Sequence, residues 1–428
     1  VSQNIEQFGK YLLLEKLAAG GMAEVFLAKS PGAGGLTKYV AVKRILPHFS
    51  HNKEFINMFK DEAKIAINLS HGNIVSIYEF GVEKGQFFLI MDYVQGKNIR
   101  QILKHIQKSD KYFTIPQIIF MGKEIASALD HAHKCHDRST GKKLNITHRD
   151  MSPQNVMVGF DGSVKVIDFG IAKAEDQLDT TRAGTLKGKF GYMSPEQAQG
   201  HPVDFRTDIF SLGIVLWELL AKDRLFVANN EINTLKRIRS CQVPDLTKMN
   251  PNVSPGLEQI ISKALTKDKN FRYQTALELS KDLSKYLNQK YPEFSPHDLA
   301  GFMKSVYSDE IFDIRKKLVA YSSATSSDVT DDKTAVIPLS EITQTATLRS
   351  ENQSQAPIGL SSQPTSTKTI TNIIDESLIT QETRKTKQRN ANRPASHKRI
   401  GDETSSYQNT GTYGHTGTYS NTGLHRQA

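Results

Sequence analysis

Strand-spaced and helix-spaced apolar patterns are segregated along this chain, and that segregation limits its fold more than any other feature. Over the first 94 residues apolar positions fall at the strand period in "YLLLEKLA", "EVFLAKS" and "YVAVKRIL". They pass through one helical stretch, "EFINMFKDEAKIAINL", and return to a hairpin in "VSIYEFGVEKGQFFLIMDYV". From about residue 97 the helical period dominates, in "NIRQILKHI", "PQIIFMGKEIASALDHAH", "TDIFSLGIVLWELL", "INTLKRIRS", "GLEQIISKAL" and "ALELSKDLSKYL". The exception is "NVMVGFDGSVKVIDFG", two short strands joined by an Asp-Gly turn. Strands gathered ahead of helices predict an α+β protein, a small sheet with one helix followed by a mainly helical lobe.

Near residue 322 the periodicity stops. Ser, Thr, Gln and Asn dominate beyond it, so 322–428 is predicted to be a disordered Ser/Thr-rich tail, with too little apolar surface to offset chain entropy. Its weak repeat, "NTGTYGHTGTYSNTGLH", is too short in period for a solenoid. Part of the net charge of +10 is concentrated there, in Arg384, Lys385, Lys387, Arg389, Arg393, Lys398 and Arg399. A solvated basic tract is the plain reading, and an acidic protein, a membrane surface or nucleic acid is the alternative; no clear nucleic-acid signature accompanies it. Cys135 and Cys241 lie far apart in no paired spacing, which predicts a reducing, cytoplasmic setting. No apolar run approaches the length of a membrane span, and "VSQNIEQFGK" lacks the apolar core of a secretion signal. The absence of an initiator Met leaves open whether residue 1 is the translation start.

The stretch "LAAGGMAEVFLAKS" poses a choice between a phosphate-gripping turn and a plain hairpin. Backbone N–H groups approach phosphate oxygens closely only where side chains are nearly absent. Gly20 and Gly21 meet that need, whereas Ala18 and Ala23 stand where glycine is usual and each adds a Cβ. Lys43 ends the strand "VAVK" about twenty residues further on, and Glu62 on the following helix is placed to hold it as an ion pair.

His148-Arg149-Asp150 with Asn155 following, then Asp168-Phe169-Gly170 after one hairpin, then "SPE" at 194–196, form an ordered set that chance does not produce. On these motifs the chain resembles the eukaryotic-type (Hanks-type) Ser/Thr protein kinases. "LAAGGMAEVFLA", "HRDMSPQN" and "GKFGYMSPEQ" are similar to soluble kinases of myxobacteria and related predatory bacteria. The resemblance implies a bilobal kinase domain over 11–290, with a five-stranded antiparallel sheet and one helix in an N-lobe of about 9–94 and a helical C-lobe of about 95–290. A short helical extension is expected at 291–321, ahead of the tail.

The resemblance also implies roles. Asp150 is expected to take the proton of the attacking hydroxyl, Asn155 and Asp168 to hold Mg²⁺, and Lys43, held by Glu62, to contact the phosphates of ATP. The turn formed by Leu17, Ala18, Ala19, Gly20, Gly21, Met22, Ala23, Glu24 and Val25 is expected to cover the nucleotide. Asp92 and Val94 should supply backbone hydrogen bonds to adenine, with Met91 at the back of that pocket. Asp208 matches an aspartate that steadies the catalytic-loop backbone, and Arg272 matches the partner of Glu196. The expected partners are protein substrates bearing Ser/Thr hydroxyls.

This chain departs from the family pattern beyond the loop. Ser152 stands where Ser/Thr members usually carry Lys, and Lys189-Phe190 replace the usual Thr-Pro before "SPE". Lys189 is a candidate to restore the charge that Ser152 removes. Thr180, Thr181 and Thr185 are candidate autophosphorylation sites, with Arg149 as the cation awaiting a phosphate, although these threonines also suit an ordinary polar loop. His131, His133, Cys135 and His136 crowd together, but helical spacing spreads them over different faces. In the tail, "TAVI" at Thr334–Ile337 and "TATL" at Thr345–Leu348 are sites that phosphothreonine-reading domains would accept once modified. An active protein kinase is the principal reading. A pseudokinase scaffold, which Ala18, Ala23 and Ser152 would favour, and a small-molecule phosphotransferase are the alternatives.

Overall fold

The structure, a computed structural model, describes residues 5–32, 37–49, 52–137, 140–169, 190–322 and 335–336. The chain divides into two units, Val1–Gln355 and Ala356–Ala428. All described residues belong to the first, and the expected disorder of the tail lies outside them apart from residues 335–336.

The first lobe is an antiparallel sheet of β1 (Glu6–Phe8), β2 (Tyr11–Ala19), β3 (Ala23–Pro31), β4 (Thr37–Ile45), β5 (Ile77–Glu83) and β6 (Gln86–Asp92), with one helix, α1 (Lys53–Asn68). The two-residue strand β10 (Ala335–Val336) pairs with β5, giving the order β1-β2-β3-β4-β6-β5-β10. The sheet therefore has seven strands where five were predicted. β1 was missed because three residues are too few to show a period; it pairs with β2 across a turn in which Gly9 has φ +54° and Phe8 is buried against Tyr11 and Phe88. β10 was missed because only its pairing to the β5 edge makes it a strand.

Register fixes what faces what. In β2 the pairing with β3 shifts at Leu13/Glu15 and again at Lys16/Ala18, irregularities that bend this strand pair toward its turn. Lys43 of β4 stands opposite Val25 on one side and Leu89 on the other, and Ala41 stands opposite Met91.

The second lobe comprises α2 (Ile99–Ile106), α3 (Ile115–His133), α4 (Pro195–Ala198), α5 (Arg206–Ala221), α6 (Glu231–Ser240), α7 (Leu246–Met249), α8 (Pro255–Ala264), α9 (Ala276–Lys290), α10 (Pro296–Val306) and α11 (Ser308–Ser322). Residues Thr207 to Leu220 of α5 are all buried, as a helix apolar on every side requires, and α3 packs against both α5 and α9. A small sheet of β7 (Gly96–Asn98), β8 (Val156–Gly159) and β9 (Val164–Val166) lies at the front of this lobe. Its Asp-Gly turn demands glycine twice. Gly162 has φ +83°, and a Cβ there would lie 2.6 Å from the Pro296 carbonyl oxygen of α10.

Candidate active site

The loop from His148 to Asn155 and the end of the β8–β9 hairpin bring the candidate catalytic groups together. Asn155 Nδ2 donates to the Asp150 backbone oxygen at 2.7 Å and to Asp150 Oδ2 at 3.0 Å, so its amide hydrogens are committed and its oxygen is the atom left to act as a ligand. Lys43 reaches across from β4 to Asp168 Oδ1 at 2.8 Å. Arg149 and Asp168 hold left-handed backbone conformations, φ 65° and 57°, which only a surrounding lattice of contacts sustains in residues with a Cβ.

That lattice centres on Asp208, which is 0% exposed. Its Oδ2 accepts from the His148 backbone N–H at 2.8 Å, its Oδ1 accepts from the Arg149 N–H at 2.8 Å, and His133 Nε2 lies 2.8 Å from Oδ2. His148 Nε2 is 3.0 Å from the Ile167 oxygen and its Nδ1 is 3.3 Å from the Asp150 N–H. One nitrogen donates and the other accepts, which describes a neutral imidazole linking the catalytic loop to the residue before Asp168. Phe169 packs on this ring at 4.7 Å.

The turn between β2 and β3 closes through Gly20 N–H to the Ala23 oxygen at 2.8 Å, and Ala18 and Ala19 remain paired with Val25 and Glu24. Gly20 and Gly21 lack positive φ, and a Cβ on Gly21 would meet nothing within 4 Å. Their small size is therefore not needed by the fold, which leaves it free to serve a close-approaching ligand. Two residues of the turn are turned to other work. Met22 packs with the cluster around Ile45, Phe59 and Ala63, and its oxygen accepts from Leu46 N–H. Glu24 pairs with Lys16 and Arg44, and the Lys16 ammonium holds its carboxyl below the usual range. Leu17 is exposed.

At the linker, Asp92 N–H donates to the Ser76 oxygen at 3.0 Å, and its carboxylate is engaged by Tyr78 and Lys38. Among the described residues the Val94 N–H has no backbone partner. Met91 borders a cavity of about 30 Å³ together with Leu89, Ala66, Asp168 and Phe169. Glu62 lies on α1, but its side chain falls outside the described residues, as do Gly170, Thr180, Thr181, Thr185 and Lys189.

This arrangement agrees with a family match. A model described as the protein kinase domain fits residues 11–286. The chain belongs to the protein kinase family. The chain is 37% identical over 322 residues to the tyrosine-protein kinase MasK of Myxococcus xanthus, a match covering 75% of this chain and 50% of that one. It is 34% identical over 275 residues to the serine/threonine-protein kinase PrkC of Bacillus subtilis, covering 64% and 40%. It thus spans half or less of these curated relatives. A match of 322 residues cannot fit before residue 286, so the likeness to MasK runs past the family model into α10 and α11. A double-mutant PknI kinase domain of Mycobacterium tuberculosis shares the fold, with a TM-score of 0.50 at 24% identity, over 67% of this chain and 99% of that one.

Within the kinase domain the structure adds Gln197, which the sequence reading passed over, and finds partners for residues it named. Gln197 Nε2 donates to the Arg149 oxygen at 3.0 Å, tying α4 to the catalytic loop, while Ser194 and Gln197 form a capping box. The "SPEQ" spacing carries that signal. Arg272, 2% exposed, meets Glu196 in two bonds of 2.7 Å. His133 is committed to Asp208 and His131 stacks on His71 at 5.1 Å, so the crowded histidines serve separate neighbours. Among the described residues no group of three or more His, Cys, Asp or Glu side chains is placed to hold a metal.

Proposed function

We propose that this chain is an ATP- and Mg²⁺-dependent protein kinase that transfers the γ-phosphoryl group to Ser/Thr hydroxyls of proteins, itself included, in bacterial signalling. The observation that carries the reading is the convergence of Lys43, Asp150, Asn155 and Asp168 from separate elements. Asp150 would orient the substrate hydroxyl and accept its proton as the new O–P bond forms. The Asn155 oxygen and the Asp168 carboxylate are hard donors suited to Mg²⁺, which when bound neutralises phosphate charge. Lys43 would contact the α- and β-phosphates, with the Leu17–Val25 turn above them and backbone groups of Asp92 and Val94 at the adenine edge. Cys135 and Cys241 stand as thiols outside any disulfide among the described residues, which suits a cytoplasmic setting.

Arg149 makes no ion pair among the described residues, which suits a cation that receives a phosphothreonine from the segment after Asp168. Phosphothreonine-reading partners of the tail belong to the same proposal.

Tyrosine is the second reading for the hydroxyl class. Ser152 removes the lysine typical of Ser/Thr members, and MasK is named a tyrosine-protein kinase.

Label transfer from Mg-ATP to the protein and to a generic basic protein, followed by phosphoamino-acid analysis, tests all of this. The expected result is label on Ser or Thr that vanishes in Asp150→Asn. Label on Tyr would transfer the assignment to the second reading. No label from folded, ATP-binding protein would favour a scaffold.

A further inference from the structure

Helix α11 touches both lobes. Just before it, Tyr307 is buried against the rings of His105 and Phe160 at 4.5 and 5.7 Å, anchoring the helix start to the C-lobe. Glu310 then pairs with Lys97 of β7, a few residues past the linker. Fifteen residues of helix span about 22 Å, and at the far end the polar contacts are with the N-lobe sheet. Lys317 Nζ lies 2.8 Å from Glu15 of β2, and the Tyr39 hydroxyl of β4 donates to the Leu318 oxygen at 2.7 Å. Lys29 of β3 donates to the Ser322 oxygen at 2.9 Å and to the Tyr321 oxygen at 3.3 Å.

The last turn of α11 contains no basic residue. Its terminal carbonyls, which carry the negative end of the helix dipole, therefore draw their cation from the other lobe. Tyr321, 7% exposed, packs with Leu14 and Leu27, and Tyr39, Tyr93 and Leu318 close around them. Leu14 and Leu27 lie in the two strands that carry the Leu17–Val25 turn. Tyr93 is the linker residue between Asp92 and Val94, and burial pushes its phenol up to about 12, with Glu15 and Glu310 adding to the shift.

We propose that α11 is a cross-lobe strap in which Tyr321 and Lys29 act as positioning residues, holding β2, β3 and the linker over the nucleotide site. Without it the sheet would be restrained by the linker, the Asn73–Val75 pairing with Val166 and the Lys43–Asp168 contact alone, and the fraction of molecules with the turn seated over the phosphates would fall. Apparent nucleotide affinity falls in proportion to that fraction, whereas the rate at saturation changes little because bound nucleotide restores the closed arrangement.

The proposal rests on the phosphotransfer reading only for what the sheet closes upon. In the full chain, Tyr321→Ala is expected to raise KM for Mg-ATP about fivefold or more while kcat stays within about twofold, and Tyr321→Phe, which keeps the ring, to raise it less. Lys29→Met removes the helix cap without touching the core and should move KM in the same direction. Hydrogen exchange without nucleotide should quicken at residues 12–29 and 93–98 in both the alanine and the methionine variants. Unchanged exchange there, or a lowered melting temperature with KM unmoved, would make α11 a mere stabilising helix and overturn the strap. A parent protein that binds no Mg-ATP by calorimetry would overturn the proposed function instead, and the exchange result would still decide the strap.

Discussion

Asp208 has no chemistry to perform, yet three groups around the catalytic loop depend on it. Its two oxygens accept the N–H groups of His148 and Arg149, and Arg149 holds a left-handed conformation that costs energy unless fixed. In Asp208→Asn the amide nitrogen would face a backbone N–H in either orientation, that of Arg149 or that of His148. We expect a stability loss of about 2 kcal/mol by urea unfolding and a fall in kcat on the order of a hundredfold, with Mg-ATP binding retained. An unchanged kcat would show that the loop holds its shape without this carboxylate. Lys189 belongs at the same scale. If it supplies the charge that Ser152 lacks, Lys189→Met should lower turnover about a hundredfold, and a variant as fast as the parent would sink that compensation.

Between elements, α4 is tied to the segment before α9 through the buried pair of Glu196 and Arg272. Burial alone would raise the Glu196 pKa, but the guanidinium outweighs it and the carboxyl is held below its usual value. A folded value below the unfolded one means that the tie stabilises fully above the ordinary glutamate range, near pH 4. That contribution is lost as pH falls through the lowered folded value. Glu196→Gln should therefore flatten the dependence of unfolding free energy on pH below about 4, read from urea curves between neutral and acid pH. Arg272→Met leaves the carboxylate buried and unpaired, and about 3 kcal/mol or more should disappear at neutral pH. A melting curve indistinguishable from the parent's would mean that water replaces the guanidinium. Arg206 already engages Asp204 and the Lys269 oxygen nearby, so the segment does not hang on one pair.

At the scale of the whole molecule, legibility followed the reach of each signal. Asp150, Asn155 and Asp168 stood out as candidates because a short ordered motif restricts residue type and spacing together. Asp208 and Arg272 were found only through resemblance, since their partners lie 60 and 76 residues away in sequence. Met22 counts among the turn residues by position, but its side chain joins the apolar cluster under β4, a choice that packing makes and spacing does not. "SDEIFDIRKKLVAYS" announces a helix and conceals where it docks, because Leu318 and Tyr321 read alike whether they face a lobe or its neighbour. The family match stops at 286, but Leu299, Met303, Tyr307 and Tyr321 are buried in the same described body. The cooperative unit should accordingly end near 322. A chain of residues 1–322 is expected to melt in one transition close to the full chain, whereas 1–290 forfeits four buried side chains worth about 1.5–3 kcal/mol each. The melting temperature of the shorter chain should fall by about 10 °C or more, measured by calorimetry. Equal melting of the two shortened chains would place the boundary at the end of α9 and make the last two helices passengers.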